Sequence, residues 1–527
     1  MLASLPPELL YVILDHLSLD ALLPLRVASK VFLHLTNPRV FSEISINLST
    51  RGFHRKLELI KSISTSSCTF TFCITTLKIR SLHLGRQYRR ELDQESLQAF
   101  LSEHLPSSIR KLQNLETVHW THDSYLDPPC YILPISGSLS SLPTLKNVLV
   151  RIQSVSGIEY SLPSLRSLKN LSSLAVLACD NIPKAYCEQE IAPAVGASPG
   201  LALLRIFNGW FDTAEDRVSL QSALGKARPE LMELELERVA LPVTGLRETL
   251  KETLSRKLQH LAVSTTPGAR DDDFAWDTLW SALMETHVKL SSLTVAGSEN
   301  AMDEMFAYLL SYTGLRKLKI CGLQMDQQDL EESTGRRFWD QVVPHHKNSL
   351  TLLTVTPIYE SVWCYGPVAE AALLQCSSLR DLTLCVCNVD SSWAEAKLAR
   401  ARENNKVEFR DLEVPDGARA NCGALILCDL TIRLETLTLQ AAKAVTGRED
   451  DILLFDYVID PDQPFPFLTR IEKVLLGMRA PAEASMNWPQ FMQYRLFVKS
   501  QDPKENGIWR YRIRRFARES VSEDEND

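Results

Sequence analysis

One spacing recurs along this chain: an apolar residue, two variable residues, a second apolar residue, one variable residue and a third apolar residue. It reads Ile74-Leu77-Ile79, Leu115-Val118-Trp120, Leu145-Val148-Val150, Leu171-Leu174-Val176, Leu201-Leu204-Ile206, Leu231-Leu234-Leu236 and Leu258-Leu261-Val263. It continues through Leu290-Leu293-Val295, Leu315-Leu318-Ile320, Leu350-Leu353-Val355, Leu379-Leu382-Leu384, Phe409-Leu412-Val414, Leu434-Leu437-Leu439 and Ile471-Val474-Leu476. From Leu115 to Leu434 successive matches stand 25 to 35 residues apart. Two apolar positions with one residue between them are the inward face of a short strand, because side chains alternate along it. Between the matches lie segments of helical period, as in 243–256 with Leu246, Leu250 and Leu254, and in 301–312 with Met302, Met305, Phe306, Leu309 and Leu310; 367–376 and 392–402 behave alike. Each unit turns about five apolar side chains inward, each stabilising by roughly 1.5–3 kcal/mol when buried. No single unit can cover them, so neighbours must stack. The expected fold is α/β, a solenoid over residues 74–480 with a curved parallel sheet and outer helices.

Ahead of the repeats, residues 4–47 form a separate unit. Ser4 is placed to cap a first helix, with Pro6 or Pro7 in its first turn, where a missing N–H does no harm. Leu9, Leu10, Ile13, Leu14 and Leu17 share one face of it. Asp20 or Ser18 caps a second helix to Ala28, and Ser29 caps a third that carries Val31, Phe32 and Leu35 and is expected to end before Pro38. About 45 residues cannot bury that much apolar surface alone. The cover is either the rest of the chain, which would make this a capping bundle, or a partner protein.

The residue order resembles an F-box, the module by which substrate receptors dock on the Skp-type adaptor of cullin ubiquitin ligases. The matching residues are Leu5-Pro6, Glu8, Ile13, Leu17, Asp20, Leu23 to Leu25, Val27-Ala28-Ser29 and Phe32, with a closing Pro38-Arg39-Val40-Phe41 as in fungal members. Two features depart from the pattern. Pro24 should bend or delay the second helix, and Phe41 stands where a tryptophan is common. The later pattern resembles leucine-rich repeats with a long, loose period, although the asparagine that often follows the strand is mostly missing. The resemblance implies that Leu5, Pro6, Glu8, Ile13, Leu17, Leu25, Val27 and Phe32 hold the adaptor, and through it cullin, while the repeats hold a target protein. The expected boundaries are 1–47 for the F-box, 48–73 for a connector, 74–480 for the solenoid, 481–518 for a C-terminal cap and 519–527 for a solvated acidic tail. In the cap, Trp509, Tyr511 and Ile513 alternate with arginines, which is strand period.

The remaining sequence narrows the function by exclusion. A net charge of −8 argues against a general nucleic-acid binder. No signal peptide and no membrane span are expected, which leaves the cytoplasm, the nucleus or both. Twelve cysteines lie scattered with no Cys-x-x-Cys pair, and read as reduced structural thiols. His345 and His346 are adjacent and make a poor metal pair. No phosphate loop, nucleophile elbow or zinc motif is present, so no cofactor, no metal and no catalysis are expected. Three stretches read as loops: 121–140, with Pro128, Pro129 and Pro134; 263–273, with Asp271 to Asp273; and 440–467. In the strand Leu231-Met232-Glu233-Leu234-Glu235-Leu236-Glu237, alternation turns Glu233, Glu235 and Glu237 outward, and Lys317 and Lys319 take equivalent places three repeats later. These five are the candidate target-binding residues. The expectation is a non-catalytic substrate-recognition subunit of a Skp–cullin–F-box ligase. The alternative is a repeat scaffold or inhibitor, bound to the adaptor or free, that acts outside ubiquitination.

Overall fold

The computed structural model describes residues 5–386, apart from 67, 69, 86–87, 89–92, 124–125, 128, 154–161, 180–181, 210–217, 228, 240, 242–247, 249, 251–256, 265–275, 298–301, 323–327 and 359–360. Beyond 386 it describes the backbone of strands 436–441, 483–486, 495–501 and 509–515. The chain divides into two compact units, one reaching Leu258 and the other beginning at Gln259.

The first unit opens with three helices, α1 (Pro7–Asp15), α2 (Leu19–Ala28) and α3 (Lys30–Val40). Pro7 occupies the first turn of α1. Ser18 caps α2 by accepting from the Ala21 N–H, and Ser29 caps α3 by accepting from the Phe32 N–H at 3.2 Å. Two proline expectations change. α2 runs through Pro24 without delay, and α3 continues past Pro38 to Val40. Pro38 lies in the last turn of α3, where its missing N–H costs a single bond, and the Asn37 carbonyl still accepts from the Phe41 N–H at 2.9 Å. The end of α1 is held from α3: the Arg39 guanidinium donates to the Leu14 carbonyl.

Seven parallel strands follow in sequence order. They are β1 (Glu43–Asn47), β2 (Thr76–Ser81), β3 (Thr117–His122), β4 (Asn147–Ile152), β5 (Ser173–Ala178), β6 (Leu203–Phe207) and β7 (Glu233–Glu237). Each strand from β2 to β7 contains the last two apolar positions of its repeat, and those residues are buried: Leu77, Ile79, Val118, Trp120, Leu174 and Val176 are all at most 1% exposed. The first apolar residue of each match, such as Leu115 or Leu201, is buried just before the strand. Helices α4 (Phe53–Ser64), α5 (Gln94–Arg110) and α6 (Ile132–Ser140) cover the inward face. Ile60 and Ile63 of α4 and Leu105 and Ile109 of α5 meet Ile44, Ile46 and Leu77 of the sheet.

The sheet starts earlier than the expected boundary at residue 74. β1 lies inside the stretch assigned to the N-terminal module, and α4 lies inside the expected connector. Phe41-Ile44-Ile46 carries the repeat spacing, with Phe41 as the leading apolar residue, but it lies inside the stretch that resembles an F-box and is assigned there to the N-terminal module. The expected loop 121–140 also contains α6, in which Ile132, Ile135 and Leu139 are buried at helical spacing and Pro134 sits in the first turn.

The second unit continues the pattern with β8 (His260–Ser264), β9 (Ser292–Ala296), β10 (Lys317–Cys321), β11 (Leu352–Thr356), β12 (Asp381–Val386), β13 (Thr436–Ala441) and β14 (Glu483–Met486), each parallel to the next. β15 (Arg495–Gln501) and β16 (Trp509–Arg515) then pair antiparallel. β12 pairs directly with β13, and the repeats expected at 409–414 and 471–476 lie outside the described residues. So do Asp271 to Asp273, most of 440–467, the tail 519–527 and the side chains of Trp509 and Tyr511. Helices at Trp276–Glu285, Met302–Leu310, Gln328–Arg337 and Pro367–Leu373 fill one side. Their core is aromatic: the Phe338 ring lies 6.0 Å from Phe306 and 5.0 Å from Trp363. Gly335 makes room for it, since a Cβ there would stand 2.3 Å from Val362 Cγ1 and 3.1 Å from Trp363 Nε1.

Two buried polar groups lock turns. In the first unit the Asp127 carboxylate accepts from the N–H groups of Leu82 (3.3 Å) and Asp123 (3.0 Å), with His83 Nδ1 at 3.3 Å and His122 Nδ1 at 3.5 Å. Burial alone would raise its pKa; the bonds from His122, His83 and Asp123 overcome that and hold it at about 2. Asp127→Ala strands these donors and should cost about 1–3 kcal/mol at neutral pH, read as a lower denaturant midpoint. The carboxylate's folded pKa is depressed, so its contribution is full above the ordinary carboxylate pKa and fades as pH falls towards 2.

In the second unit His345 and His346 bond through Nε2 to the carbonyls of Tyr312 (2.9 Å) and Leu309 (3.0 Å), closing the end of helix Met302–Leu310. They act as separate helix-end latches rather than a pair. Burial, helped by His345, pushes the His346 pKa down to about 4, against the opposing Leu309 bond. A depressed histidine stabilises above its ordinary pKa of 6.5, and that contribution is lost as pH falls towards 4. His346→Gln keeps a donor and removes the titration. It should flatten the loss of stability between pH 6.5 and 4 by up to about 3 kcal/mol, as read from denaturant midpoints across that range.

Candidate functional site

Among the described residues, seven of the eleven exposed large apolar side chains lie between Leu9 and Val31: Leu9, Val12, Ile13, Leu19, Leu23, Val27 and Val31. The helices place them there because a smaller set suffices to hold the bundle together. Leu10 and Leu14 of α1, Leu22 of α2 and Phe32 and Thr36 of α3 are buried, all at 8% exposure or less. Burying a Val, Leu or Ile side chain is worth roughly 1.5–3 kcal/mol, so this surface forgoes a large stabilisation unless something covers it.

The candidate adaptor-binding residues divide accordingly. Pro6, Glu8, Ile13 and Val27 are exposed, Val27 at 88%. Leu5, Leu17 and Leu25 are half-buried. Phe32 is in the core, 8% exposed, because it is the buried position in the turn that Ser29 caps. Leu9, Val12, Leu19, Leu23 and Val31 join the surface. Their helical spacing from the buried leucines was visible in the sequence, but which face turned outward was not.

The bundle is joined firmly to the sheet. Phe41, one residue past α3, stacks on Phe70 with ring centroids 4.0 Å apart and planes 13° from parallel. The Arg26 guanidinium lies 4.4 Å from the Phe41 ring centroid, and its Nε donates to Asn37 Oδ1 at 2.9 Å. The next residue, Ser42, gives its carbonyl to the N–H groups of both Thr75 and Thr76, at 2.9 Å each. Thus α2, α3 and the first two strands form one continuous piece.

On the open face of the first sheet, register aligns Ser45, Lys78, His119, Leu149, Ala175, Arg205 and Glu235 across neighbouring strands. Glu233 is exposed, while Glu235 and Glu237 are half-buried. The acidic row is not left to repel itself, because the Arg205 guanidinium pairs with Glu235, with Nη2 at 2.6 Å from Oε1. That bond raises the Arg205 pKa above its ordinary value against the effect of burial. Burial pushes the Glu237 carboxyl up, with Arg238 opposing. At the other end of the row Lys78 pairs with Glu43 at 2.7 Å. Lys317 and Lys319 are exposed on β10 of the second unit.

Among the described residues no group of three or more His, Cys, Asp or Glu could hold a metal ion, and no helix is long and apolar enough to cross a membrane. Burial raises the thiols of Cys187 to about 12 and Cys376 to about 11, which suppresses the thiolate.

The chain matches no family model and no curated protein. Among solved structures it is similar to the crystal structure of a TLR13–ssRNA13 complex, at 14% identity and a TM-score of 0.33. That likeness covers 70% of this chain and 43% of the other, so this chain spans less than half of its length. So distant and partial a likeness decides neither fold nor function.

The contrast between outward and inward apolar side chains on α2 can be measured. Val27→Asp should leave the thermal midpoint within the usual surface-substitution range of about ±0.5 kcal/mol. Leu22→Asp, which buries a charge, should destabilise the N-terminal helices by about 3 kcal/mol or more. Circular dichroism melts of the two variants check this.

Proposed function

We propose that this chain is the substrate-recognition subunit of a Skp–cullin–F-box ubiquitin ligase. In this reading the three N-terminal helices dock on a Skp-type adaptor, and the open faces of the parallel sheets hold a target protein. The observation that carries it is the concentration of uncovered apolar side chains on α1 to α3, on the segment whose residue order resembles an F-box. A capping bundle would turn those side chains onto the sheet. Here the bundle meets the sheet through Phe41, Phe70 and Arg26, and Leu9, Val12, Leu23 and Val27 remain outside. The chain's contribution to ubiquitin transfer is proximity: it raises the effective concentration of target lysines and performs no bond chemistry. The firm joint between bundle and sheet serves that role, since it fixes the direction in which a held target points.

The test uses point substitutions in the full-length chain. Deleting residues 1–47 would also remove β1 and uncover the edge of β2. Wild-type chain co-expressed with a Skp-type adaptor should capture it in equal amount, and cullin should follow. Leu23→Asp combined with Val27→Asp should weaken adaptor capture by a factor of roughly 100 or more, about 3 kcal/mol, with melting unchanged. Failure of the wild type to bind adaptor, or undiminished capture by the double variant, contradicts the reading. Adaptor without cullin marks a scaffold acting outside ubiquitination.

A further inference from the structure

We propose that the open face of β4 to β7 binds an extended segment of a partner protein that carries an acidic side chain, then apolar side chains, then a basic side chain. The proposal rests on the target-binding half of the reading above and is independent of the adaptor half.

The argument begins with alternation. A sheet covered by helices on one face and by water on the other alternates apolar and polar residues, whereas a strand covered on both faces is apolar throughout. β5 is of the second kind. Leu174, Val176 and Ala178 face the helices, and Ala175 and Leu177 face the open side. The neighbouring strands extend this patch. Register sets Leu149 of β4 beside Ala175, Leu177 beside Phe207 of β6, and Leu203 of β6 beside Ser173. Ala175 is only 4% exposed although it lies on the open face, because larger side chains stand around it, and those side chains are half-buried. Ala175 is thus a small residue flanked by Leu149 on one side and Arg205 on the other, with Leu177, Phe207 and Leu203 completing the apolar patch. In the second unit the middle open-face positions of β9 to β11 are Thr294, Lys319 and Thr354, aligned in register and polar. The apolar patch is therefore a local departure and not a general property of the repeats.

Charge says what would cover it. One register row reads Arg151, Leu177, Phe207 and Glu237 on four successive strands. Arg151 is exposed beside the patch on β4. On the far side β7 presents Glu233 beside Leu203 and Glu237 beside Phe207. Arg205 pairs with Glu235 and Arg238 lies 5.8 Å from the Phe207 ring, so among the described residues of β6 and β7 and Arg238 two cations stand beside three carboxylates, an acidic excess of one. A cation on one edge and an acidic excess on the other fix a polarity for the occupant. Adjacent strands are about 4.8 Å apart, so Arg151 and Glu237 are separated by about 14 Å. An extended chain advances about 3.3 Å per residue and crosses that distance in about four residues. The complementary segment places its acidic and basic side chains about four residues apart with apolar residues between, lying across the strands.

The experiment selects a phage-displayed random peptide library on the purified full-length chain and measures the enriched peptides by fluorescence anisotropy. The expected peptides share the acidic, apolar, basic order. Arg151→Glu should weaken them by roughly ten-fold, and exchange of the peptide's acidic residue for lysine should restore binding to that variant. Leu177→Ser and Glu237→Lys should weaken them as well, with thermal midpoints and adaptor capture as controls. Three results overturn the proposal: no enrichment over bare support, peptides whose affinity is unchanged in all three variants, or self-association of the chain that Leu177→Ser abolishes, which would make a second copy the occupant. No peptide enrichment on the wild-type chain with adaptor capture intact counts against this proposal alone; no adaptor capture by the wild-type chain with peptide binding intact counts only against the adaptor reading.

Discussion

In β2 to β7 and in β9 to β12 each strand is tied to the one before it by a pair of backbone bonds to a single carbonyl. In the first unit the N–H groups of Thr75 and Thr76 meet the Ser42 carbonyl, Glu116 and Thr117 meet Thr75, and Lys146 and Asn147 meet Glu116. Ser172 and Ser173 then meet Lys146, Ala202 and Leu203 meet Ser172, and Met232 and Glu233 meet Ala202. The second unit repeats the device at Ser291, Arg316, Thr351 and Arg380. This staircase fixes register at the entry to these strands. Register decides everything after it, because a slip of one residue would turn Leu77, Val118 and Leu174 to water and neighbours such as Lys78 and His119 inward. Burial of the leucines rewards the correct register, and the paired bonds satisfy backbone groups that burial would otherwise leave without partners.

Much of this was legible. The strands of the repeats fall where the apolar-x-apolar positions stand, since a two-residue period and a leading leucine describe a strand and its approach without further context. Two elements lie where another reading takes precedence. β1 carries the same spacing in Phe41-Ile44-Ile46, within the stretch that resembles an F-box, and α6 lies in a proline-containing stretch that reads as a loop. The buried Asp127 with His83 and His122 joins residues 44 and 5 positions apart, a proximity that exists only after β2 and β3 are side by side. Alternation alone places Glu233, Glu235 and Glu237 on one face of β7, but the partner Arg205 stands 30 residues before Glu235 and becomes a neighbour only through the β6–β7 register. The open-face patch was in principle readable, because Ser-Leu-Ala-Val-Leu-Ala is apolar on both faces of a strand. In the N-terminal helices the sequence marks an apolar excess without saying which residues are core, and Phe32 went inward while Leu23 and Val27 stayed outside.

The two surfaces follow from one economy of burial. The repeats bury their leucines against each other and against their helices, and need nothing from the N-terminal bundle beyond a cap on β2. The bundle closes on Leu10, Leu14, Leu22 and Phe32 and attaches through Phe41. Apolar side chains beyond those needs are left on α1 and α2, and again on β4 to β6, where the sheet has helices on only one side. A short stacked joint lies between the first surface and the strands, so whatever holds the bundle also orients the first unit.

The most direct measurement is amide hydrogen exchange of the full-length chain, alone and with a purified Skp-type adaptor. The account predicts slowed exchange confined to residues 7–31, with the strands of the first unit unchanged. Unaltered exchange across 7–31, or protection appearing in β2 to β7 instead, would contradict it.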